Sequence, residues 1–342
     1  MAHKRPTIKD VAQQAGVSFK TVSRVINDQR GVSDEVKERV REAIAELGYV
    51  VNYSARSLAA GGSSVVGVVI PRLTDPRSLD LLSHVGEVAE RLELGIIVLT
   101  RPILDSEIGF SQFIGHGIVG SLMLMSPRSV SAYLPFVRAL DIPTVVVESL
   151  LEDTSQGTVP CIASDNYGGA LTAVRYLCEL GHRRIAYVSG TDVSQNRLRY
   201  QGYCDALLEA DIKADKALVE PGRWSWQSGY EAAQTLIEMQ QPPTAIFCAN
   251  DTMAMGAMLA LRERGLCVPD DISVMGFDDI PAAANSRPPL TTVRQPTTEM
   301  VERAFGLLQR ARQGEQVAAE NQILPTELVL RASCGPPPQE TD

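Results

Sequence analysis

The sequence predicts an α/β protein with a small helical head at its N-terminus and a larger, two-lobed body. Within residues 7–47, short segments with helical apolar spacing are separated by turn and cap residues. Beyond Gly62, short β-branched runs alternate with helical stretches, which is typical of parallel sheets covered by helices. The length of 342 residues is also too great for one ordinary core, so two or three domains are expected.

The head begins with two short helices around the turn Ala15-Gly16-Val17-Ser18. Thr7 can cap the first helix while Asp10, three positions on, reaches back to it, which is the spacing of a capping box. Gly16 permits the left-handed backbone of a sharp turn, and Ser18 is a natural N-cap for the next helix. This order is that of a helix-turn-helix.

The second helix, from Ser18 to Asn27, is expected to present a polar face that suits the major groove of DNA. Its apolar residues Val22, Val25 and Ile26 turn inward at helical spacing. Near its start, Phe19 and Lys20 are expected to meet base edges, and Arg24 can bind a guanine edge. The expected phosphate contacts are Thr21, Ser23 and Asn27.

A third helix, about 34–47, buries Val36, Val40, Ile44 and Leu47 behind the cap Ser33 and completes the head. The following stretch, 51–62, reads as a short hinge helix released by Gly61 and Gly62. There Leu58 would wedge between base steps in the minor groove, and Arg56 would meet phosphate or the groove floor. The full set of expected DNA contacts also contains Thr7, Ser18 and Ala55. The alternatives are a surface three-helix bundle with solvated charges and an ordinary linker.

The body alternates predicted strands with predicted helices. Strands are expected at 65–70, 96–99, 121–125, 144–147, 185–188, 245–248 and 273–275, and helices near 79–93, 166–180, 197–210, 227–240, 251–264 and 297–313. About nine strands are many for one twisted sheet, so two lobes are favoured.

Polar residues follow several of these strands, where open α/β sheets place ligands. Glu148 ends one run, Asn250 and Asp251 end another, and Asp278 and Asp279 end a third. Carboxylates and an amide in these places can hydrogen-bond to hydroxyl groups. Asn250, Asp251 and Asp279 can equally cap the helices that follow.

Charge is divided unevenly along the chain. Residues 1–60 hold 10 lysines and arginines against 7 acids, and the remainder holds 22 against 34. A basic head on an acidic body confines DNA contact to the head. Because the excess of +3 is modest, two heads are expected to act together.

Cysteine usage and apolar content point to the cytoplasm. The six cysteines occur singly, without a CxxC pair or metal-ligand spacing, and are expected to be reduced thiols. The chain has no apolar run of membrane length and no signal-peptide core after His3-Lys4-Arg5-Pro6.

The motifs give no support to an enzyme. Residues 115–120 match GxGxxG, but these glycines precede a strand, whereas a dinucleotide fingerprint follows one. The chain lacks a Walker lysine loop, a GxSxG elbow and an HExxH pair. Neither catalytic residues nor a metal or cofactor are expected.

These residues resemble the LacI/GalR family of transcription regulators over nearly the whole chain. The strongest marks are Val17 to Asn27 and Ala55-Arg56-Ser57-Leu58, with Ala249-Asn250-Asp251 and Pro289 to Gln295 further on. One departure is Val51, which stands where the family usually has proline, so the start of the hinge helix is open.

The resemblance implies a periplasmic-binding-protein-like body with crossovers near 162, 290 and 323. The expected domains are a DNA-binding domain at 1–50, a hinge at 51–62, lobe 1 at about 63–161 and 292–322, lobe 2 at about 162–291 and 323–334, and a disordered tail at 335–342. The family's effector position falls on Arg199, and an aromatic that meets a sugar face falls on Trp224. Carried over with the strand-end residues, the expected effector set is Glu148, Arg199, Trp224, Asn250, Asp278 and Gln295, with Asp165 weaker.

The function that follows is that of a homodimeric repressor on a near-palindromic operator, released by a small effector, a sugar or sugar derivative. The rivals are a solute-binding protein and a sugar-modifying enzyme that use the same cleft. For single residues, Arg199 can instead pair with a surface acid, and Trp224 can be a core residue.

Overall fold

The computed structural model describes residues 6–26, 30–49, 63–70, 73–100, 118–125, 142–150, 159–191, 193–318 and 321–339, together with 135, 137 and 139. The chain divides into two compact units, residues 1–63 and 64–342. The expected DNA contacts Asn27, Ala55, Arg56 and Leu58 lie outside the described residues.

The head consists of three helices: α1 (Ile8–Ala15), α2 (Phe19–Ile26) and α3 (Asp34–Leu47). Its core is small, with Val11, Val22 and Val40 fully buried. Gly16 ends α1 in the left-handed region at φ 66°, as the turn requires.

Local capping agrees with the sequence at both helix starts of the turn motif. The Asp10 carboxylate accepts from the backbone N–H and from the hydroxyl of Thr7, both at 2.7 Å. Ser18 Oγ accepts from the Thr21 N–H at 3.1 Å. Ser33 stands at the N-cap position of α3 but makes no capping bond with its side chain.

Lobe 1 of the body contains a six-stranded parallel sheet in the order β11-β5-β4-β3-β1-β2. Its strands are β1 (Val65–Ile70), β2 (Gly95–Thr100), β3 (Ser121–Met125), β4 (Thr144–Val147), β5 (Cys161–Ser164) and β11 (Asn321–Leu324). The inner strands are continuous apolar runs because both of their faces are buried. Helices α4 (Pro76–Arg91) and α10 (Thr297–Arg312) pack on one face of this sheet.

Lobe 2 has a four-stranded parallel sheet in the order β7-β6-β8-β9. Its strands are β6 (Ile185–Ser189), β7 (Val219–Pro221), β8 (Ala245–Cys248) and β9 (Ser273–Met275). Its helices are α5 (Asn166–Glu179), α6 (Ser194–Glu209), α7 (Trp226–Ile237), α8 (Asp251–Glu263) and the short α9 (Pro281–Asn285), and a 3-10 turn spans Lys216–Leu218. Tyr187, Tyr203 and Phe247 are the largest side chains in the core of this lobe.

The lobe boundaries differ by a few residues from those expected at 162, 292 and 323. Strands β5 and β11 pair with each other and extend the sheet of lobe 1, so the chain crosses after 164 and after 324. Strand β10 (Thr292–Arg294) instead pairs with β12 (Glu327–Val329), while Thr291 and Arg294 bridge to Met275 and Asp278 of lobe 2. The crossings therefore follow the strand ends, which the apolar pattern does not mark.

The start of the C-terminal tail is fixed, in contrast to the disorder expected from residue 335 onward. The Gly335 N–H donates to Ser273 Oγ at 3.0 Å, and the Gly335 carbonyl lies 2.9 Å from His182 Nε2. His182 is fully buried, and its Nδ1 lies 2.9 Å from Thr244 Oγ1. Gly335 is held in place because its backbone satisfies buried polar side chains, which a count of apolar residues does not reveal.

Candidate DNA-reading face and effector cleft

The second helix of the head presents the polar face that the sequence predicts. Phe19 is 54% exposed, and Lys20 and Arg24 are exposed as well. Val22 is fully buried against α1 and α3, with Val25 and Ile26 packed beside it. An exposed large aromatic beside two cations on one short helix is an arrangement suited to a DNA groove.

Three expected DNA contacts have their hydroxyl groups engaged within the head. The Thr7 hydroxyl donates to Asp10, and the hydroxyls of Ser18 and Thr21 lie 2.9 Å apart. These residues fix the ends of α1 and α2, and their role toward DNA remains a prediction. Ser23 is half-buried on the same helix.

In the body, three of the residues expected at the effector cleft lie at the carboxyl ends of strands from both sheets. Glu148 follows β4 of lobe 1, whereas Asn250 follows β8 and Asp278 follows β9 in lobe 2. Four residues at these ends have left-handed backbone although they are not glycine: Glu148 (φ 65°), Trp224 (φ 60°), Asp278 (φ 120°) and Asp279 (φ 55°). Such strain persists where the surroundings over-determine it, and it concentrates at functional sites.

Arg199, on α6, is the centre of the lobe 2 side of the cleft. It is 4% exposed, and its Nη1 lies 3.4 Å from Asp278 Oδ1. Nε donates to Asn166 Oδ1 at 2.7 Å, and Nη1 also donates to the Ala249 carbonyl. The guanidinium lies 3.6 Å above the Phe277 ring and 5.7 Å from that of Trp224. The alternative of a surface ion pair is therefore excluded.

Asp278 connects Arg199 to the segments that cross between lobes. Its Oδ1 accepts from Gln295 Nε2 at 2.6 Å, and Gln295 Oε1 accepts from Ser164 Oγ at 2.6 Å. Burial raises the pKa of Asp278 to about 6, although Arg199 and Arg77 act to lower it. Burial also lowers the pKa of Arg199, against the attraction of Asp278.

Trp224 is half-buried, with one edge held in place. Its Nε1 donates to Thr191 Oγ1 at 2.8 Å. The indole lies so close to Gly190 that a Cβ there would stand 2.0 Å from it. The ring is thus neither a fully buried core residue nor free to swing away. The nearby Trp226 is 38% exposed and stacks on Tyr230.

Two of the expected cleft residues cap the helices that follow them. Asn250 caps α8, since its Oδ1 accepts from the Met253 N–H at 2.9 Å, while its Nδ2 lies 3.5 Å from the Trp224 carbonyl. Asp165 caps α5 through the Gly168 N–H at 2.8 Å.

The other two strand-end aspartates, Asp251 and Asp279, bond to neighbouring segments of the protein. Asp251 accepts from Thr292 Oγ1 at 2.5 Å and from the Ile280 N–H at 2.9 Å. Asp279 pairs with Arg294 at 2.7 Å and with Arg331 at 2.6 Å.

On the lobe 1 side, Glu148 has a partner that sequence reasoning missed. Arg77, at the start of α4, donates from Nε to Glu148 Oε1 at 2.6 Å. Its Nη1 bonds to Thr297 Oγ1 at 2.7 Å and to Asp80 at 3.0 Å. Burial opposes its charge, but Glu148, Asp278 and Asp80 together raise its pKa. One indication of this contact was present in the sequence: Arg77 follows β1 and so lies at the same sheet edge as Glu148.

A cavity of about 460 Å³ lies beside this network. Its lining comes from lobe 1, lobe 2 and the crossing segment, and it includes Asp80, His84, Asp278, Arg294, Gln295 and Glu299. Asp278 and Gln295 therefore border open space as well as bonding to each other.

Comparison with known proteins agrees with both parts of the chain. Residues 7–52 match the family model described as bacterial regulatory proteins, lacI family, and residues 174–334 match a periplasmic binding protein-like domain. The chain is 33% identical over 330 residues to the HTH-type transcriptional regulator RegA of Clostridium saccharobutylicum, covering 96% of this chain and 98% of the relative. It is 32% identical over 335 residues to the HTH-type transcriptional repressor CytR of Escherichia coli K12, covering 96% of each.

Solved structures give the same result. The Lac repressor bound to ONPG in the repressed state aligns with a TM-score of 0.83 and 30% identity, over 96% of this chain and 100% of that one. A complex of the regulator CelR with cellobiose aligns with a TM-score of 0.71 and 32% identity, over 96% and 100%.

The fold and the two sites together define a DNA-binding transcriptional regulator with a two-lobed body for a small-molecule effector. The chain belongs to the LacI family of bacterial regulatory proteins. The relatives named above are regulators rather than enzymes. Among the described helices, none is both long enough and apolar enough to cross a bilayer.

Proposed function

We propose that this regulator is a repressor whose affinity for operator DNA is set by a neutral carbohydrate bound between the lobes. The observation that carries the proposal is the bonded chain Arg199–Asp278–Gln295–Ser164. It runs from the helix that bears Arg199 to two segments that cross between lobes. A ligand that bonds to Arg199 or Asp278 therefore acts directly on the joint between the lobes.

The charge balance of the cleft favours a neutral ligand over an acidic sugar. Two buried guanidiniums, of Arg77 and Arg199, are matched by the buried carboxylates of Glu148 and Asp278. An added carboxylate would find its arginines already paired, and burying an unmatched charge is costly. The hydroxyl groups of a sugar can donate to the carboxylates, and the apolar face of its ring can stack on the half-buried Trp224. The cellobiose complex of a structural relative is consistent with this class of effector.

On the DNA side, we propose a homodimer on a near-palindromic operator. The supporting features are the exposed face with Phe19, Lys20 and Arg24 and the modest charge excess of one head. Two heads would then meet two half-sites one or more helical turns apart. In this scheme Leu58 and Arg56 of the hinge stretch enter the minor groove between the half-sites.

We further propose that the protein acts in the cytoplasm, where the chromosome is reached directly, and that it releases its ligand unchanged. Effector and operator are linked. If effector weakens operator binding, operator weakens effector binding by the same factor.

The test is a selection of bound fragments from genomic DNA with the purified full-length chain, repeated with cellobiose, ribose, glucose and glucuronate. Enrichment of a palindrome that one neutral sugar releases would support the whole proposal. Release by glucuronate alone would overturn the charge argument. Enrichment of no sequence would overturn the DNA-reading assignment.

A further inference from the structure

The first turn of α6 makes a contact across the cleft. Gln195 Nε2 donates to the backbone carbonyl of Glu148 and to Ser149 Oγ, the latter at 2.9 Å. Gln195 belongs to lobe 2, whereas Glu148 and Ser149 follow β4 of lobe 1. The two hydrogen bonds therefore exist only while the lobes are close together.

The helix that carries Gln195 is firmly attached to its own lobe. Asn196 Oδ1 accepts from the Gly190 N–H at 2.7 Å and from the Tyr187 hydroxyl at 2.9 Å, which ties α6 to the end of β6. Arg199 stands four residues after Gln195 and so on the same side of the helix. Gln195 and Arg199 thus move as one piece with lobe 2.

Glu148 is held from both lobes at once. Its carboxylate is bound by Arg77 of lobe 1, and its carbonyl is bound by Gln195 of lobe 2. Its backbone is left-handed at φ 65°, although glutamate has a Cβ and pays a conformational cost of about 1 kcal/mol there. The Glu148 N–H remains in the sheet, bonded to the Ile162 carbonyl at 2.8 Å. The unusual conformation turns the carbonyl out of the ladder, where Gln195 meets it.

We propose that Gln195 is a positioning residue that makes the geometry of Glu148 depend on lobe closure. When the lobes close, Gln195 fixes the left-handed conformation of Glu148 and with it the direction of the Glu148 side chain. When they open, the two hydrogen bonds from Gln195 are lost, while the bond from Arg77 stays within lobe 1. The inference rests on the proposed function in one respect, namely that Glu148 contacts the effector.

The test is hydrogen–deuterium exchange of the full-length protein without ligand, comparing wild type with Gln195→Ala. Loss of two hydrogen bonds of ordinary net strength should speed exchange about tenfold in the peptide that spans 144–150. Exchange in the lobe 2 core strands β6 and β8 should not change. Gln195→Glu, which sets a carboxylate against the carbonyl, should have an effect at least as large.

The matched control is Gln234→Ala, which removes a half-buried glutamine whose bond to the Tyr230 hydroxyl at 3.2 Å stays within lobe 2. It should leave exchange at 144–150 at the wild-type rate. Unchanged exchange at 144–150 in both Gln195 variants would overturn the proposal. Faster exchange throughout the body with a lowered melting temperature would also overturn it, by reducing Gln195 to a part of the general fold.

A second measurement concerns the effector. For whichever sugar of the selection panel releases operator, Gln195→Ala should need about tenfold more sugar, with operator affinity in its absence retained. Since the exchange experiment uses neither DNA nor sugar, it decides the role of Gln195 even if the selection enriches no sequence.

Discussion

The head and the body hold their functional side chains in opposite ways. In the head, Phe19, Lys20 and Arg24 are exposed on α2, and the small core lies behind them. In the body, Arg199 and Asp278 are almost completely buried and bond to each other and to the protein around them. For these residues, function and stability are therefore separable in the head, whereas in the body they depend on the same side chains. Each prediction below challenges or refines this contrast.

The largest effect is expected from Arg199→Ala. The change removes the buried cation that pairs with Asp278 and donates to Asn166 and to the Ala249 carbonyl, which should lower the free energy of unfolding by about 3–5 kcal/mol. Urea denaturation of the full-length protein measures it. The control is Arg223→Ala, an exposed lobe 2 arginine paired with Glu231, for which a loss under about 1 kcal/mol is expected. Equal losses in the two variants would refute the claim that the buried pair is integral to the fold.

The second prediction concerns pH. Because the pKa of Asp278 is raised to about 6 by burial, the native state retains a proton that the unfolded chain releases near pH 4. Stability should therefore fall as pH rises from about 4 to 6, by at most about 3 kcal/mol from this group. Asp278→Asn should remove that contribution, so the difference between the two unfolding curves isolates it from other carboxylates. A difference that does not vary between pH 4 and 6 would contradict the raised pKa.

For the head, Arg24→Ala should separate function from stability. Operator affinity is expected to fall by about 1–3 kcal/mol with relaxed preference at one base pair, because an exposed base-reading side chain is lost. The melting temperature should stay within error of wild type, since Arg24 is exposed. Competition binding with single-base operator variants tests both parts. A uniform loss on all sequences would recast Arg24 as a phosphate contact.

The smallest effect is expected from Asp10→Ala. The carboxylate accepts two bonds from Thr7 at the start of α1, so its loss should cost about 1 kcal/mol of head stability. The loss is measured by thermal unfolding, with hydrogen–deuterium exchange in the peptide that contains α1 as the local readout. Asp34→Ala is the comparison, because that exposed acid sits at the start of α3 and pairs with Lys37, three residues further on, at 3.0 Å. A loss as large in Asp34→Ala would remove the special role of the capping box.

Much of the fold could be predicted from apolar patterns alone. The limits of β1, β3, β4, β8 and β9 coincide with the runs expected at those positions, because buried parallel strands are continuous apolar segments. Strands β7, β10 and β12 span only three residues each and are partly exposed, so they leave no such run.

The site residues also differ in whether the sequence could predict them. Asp278 and Glu148 are marked by their place directly after strands, and Arg199 required the family resemblance. Arg77 was missed, because its position after β1 does not by itself show its contacts with Glu148, 71 residues away, and with Thr297, 220 residues away. Gln195 likewise acquires a role only through the approach of the two lobes.

The left-handed backbone at Glu148, Trp224, Asp278 and Asp279 has a consequence for attempts to engineer this protein. Glycine would relax the backbone at each of these positions, but at Glu148 and Asp278 it would also leave Arg77 or Arg199 buried without its carboxylate. The loss of the buried pair outweighs the relief of strain, so a search for higher thermal stability should leave these two residues unchanged. Selection for a robust fold alone would therefore preserve two of the residues that we propose for the effector site.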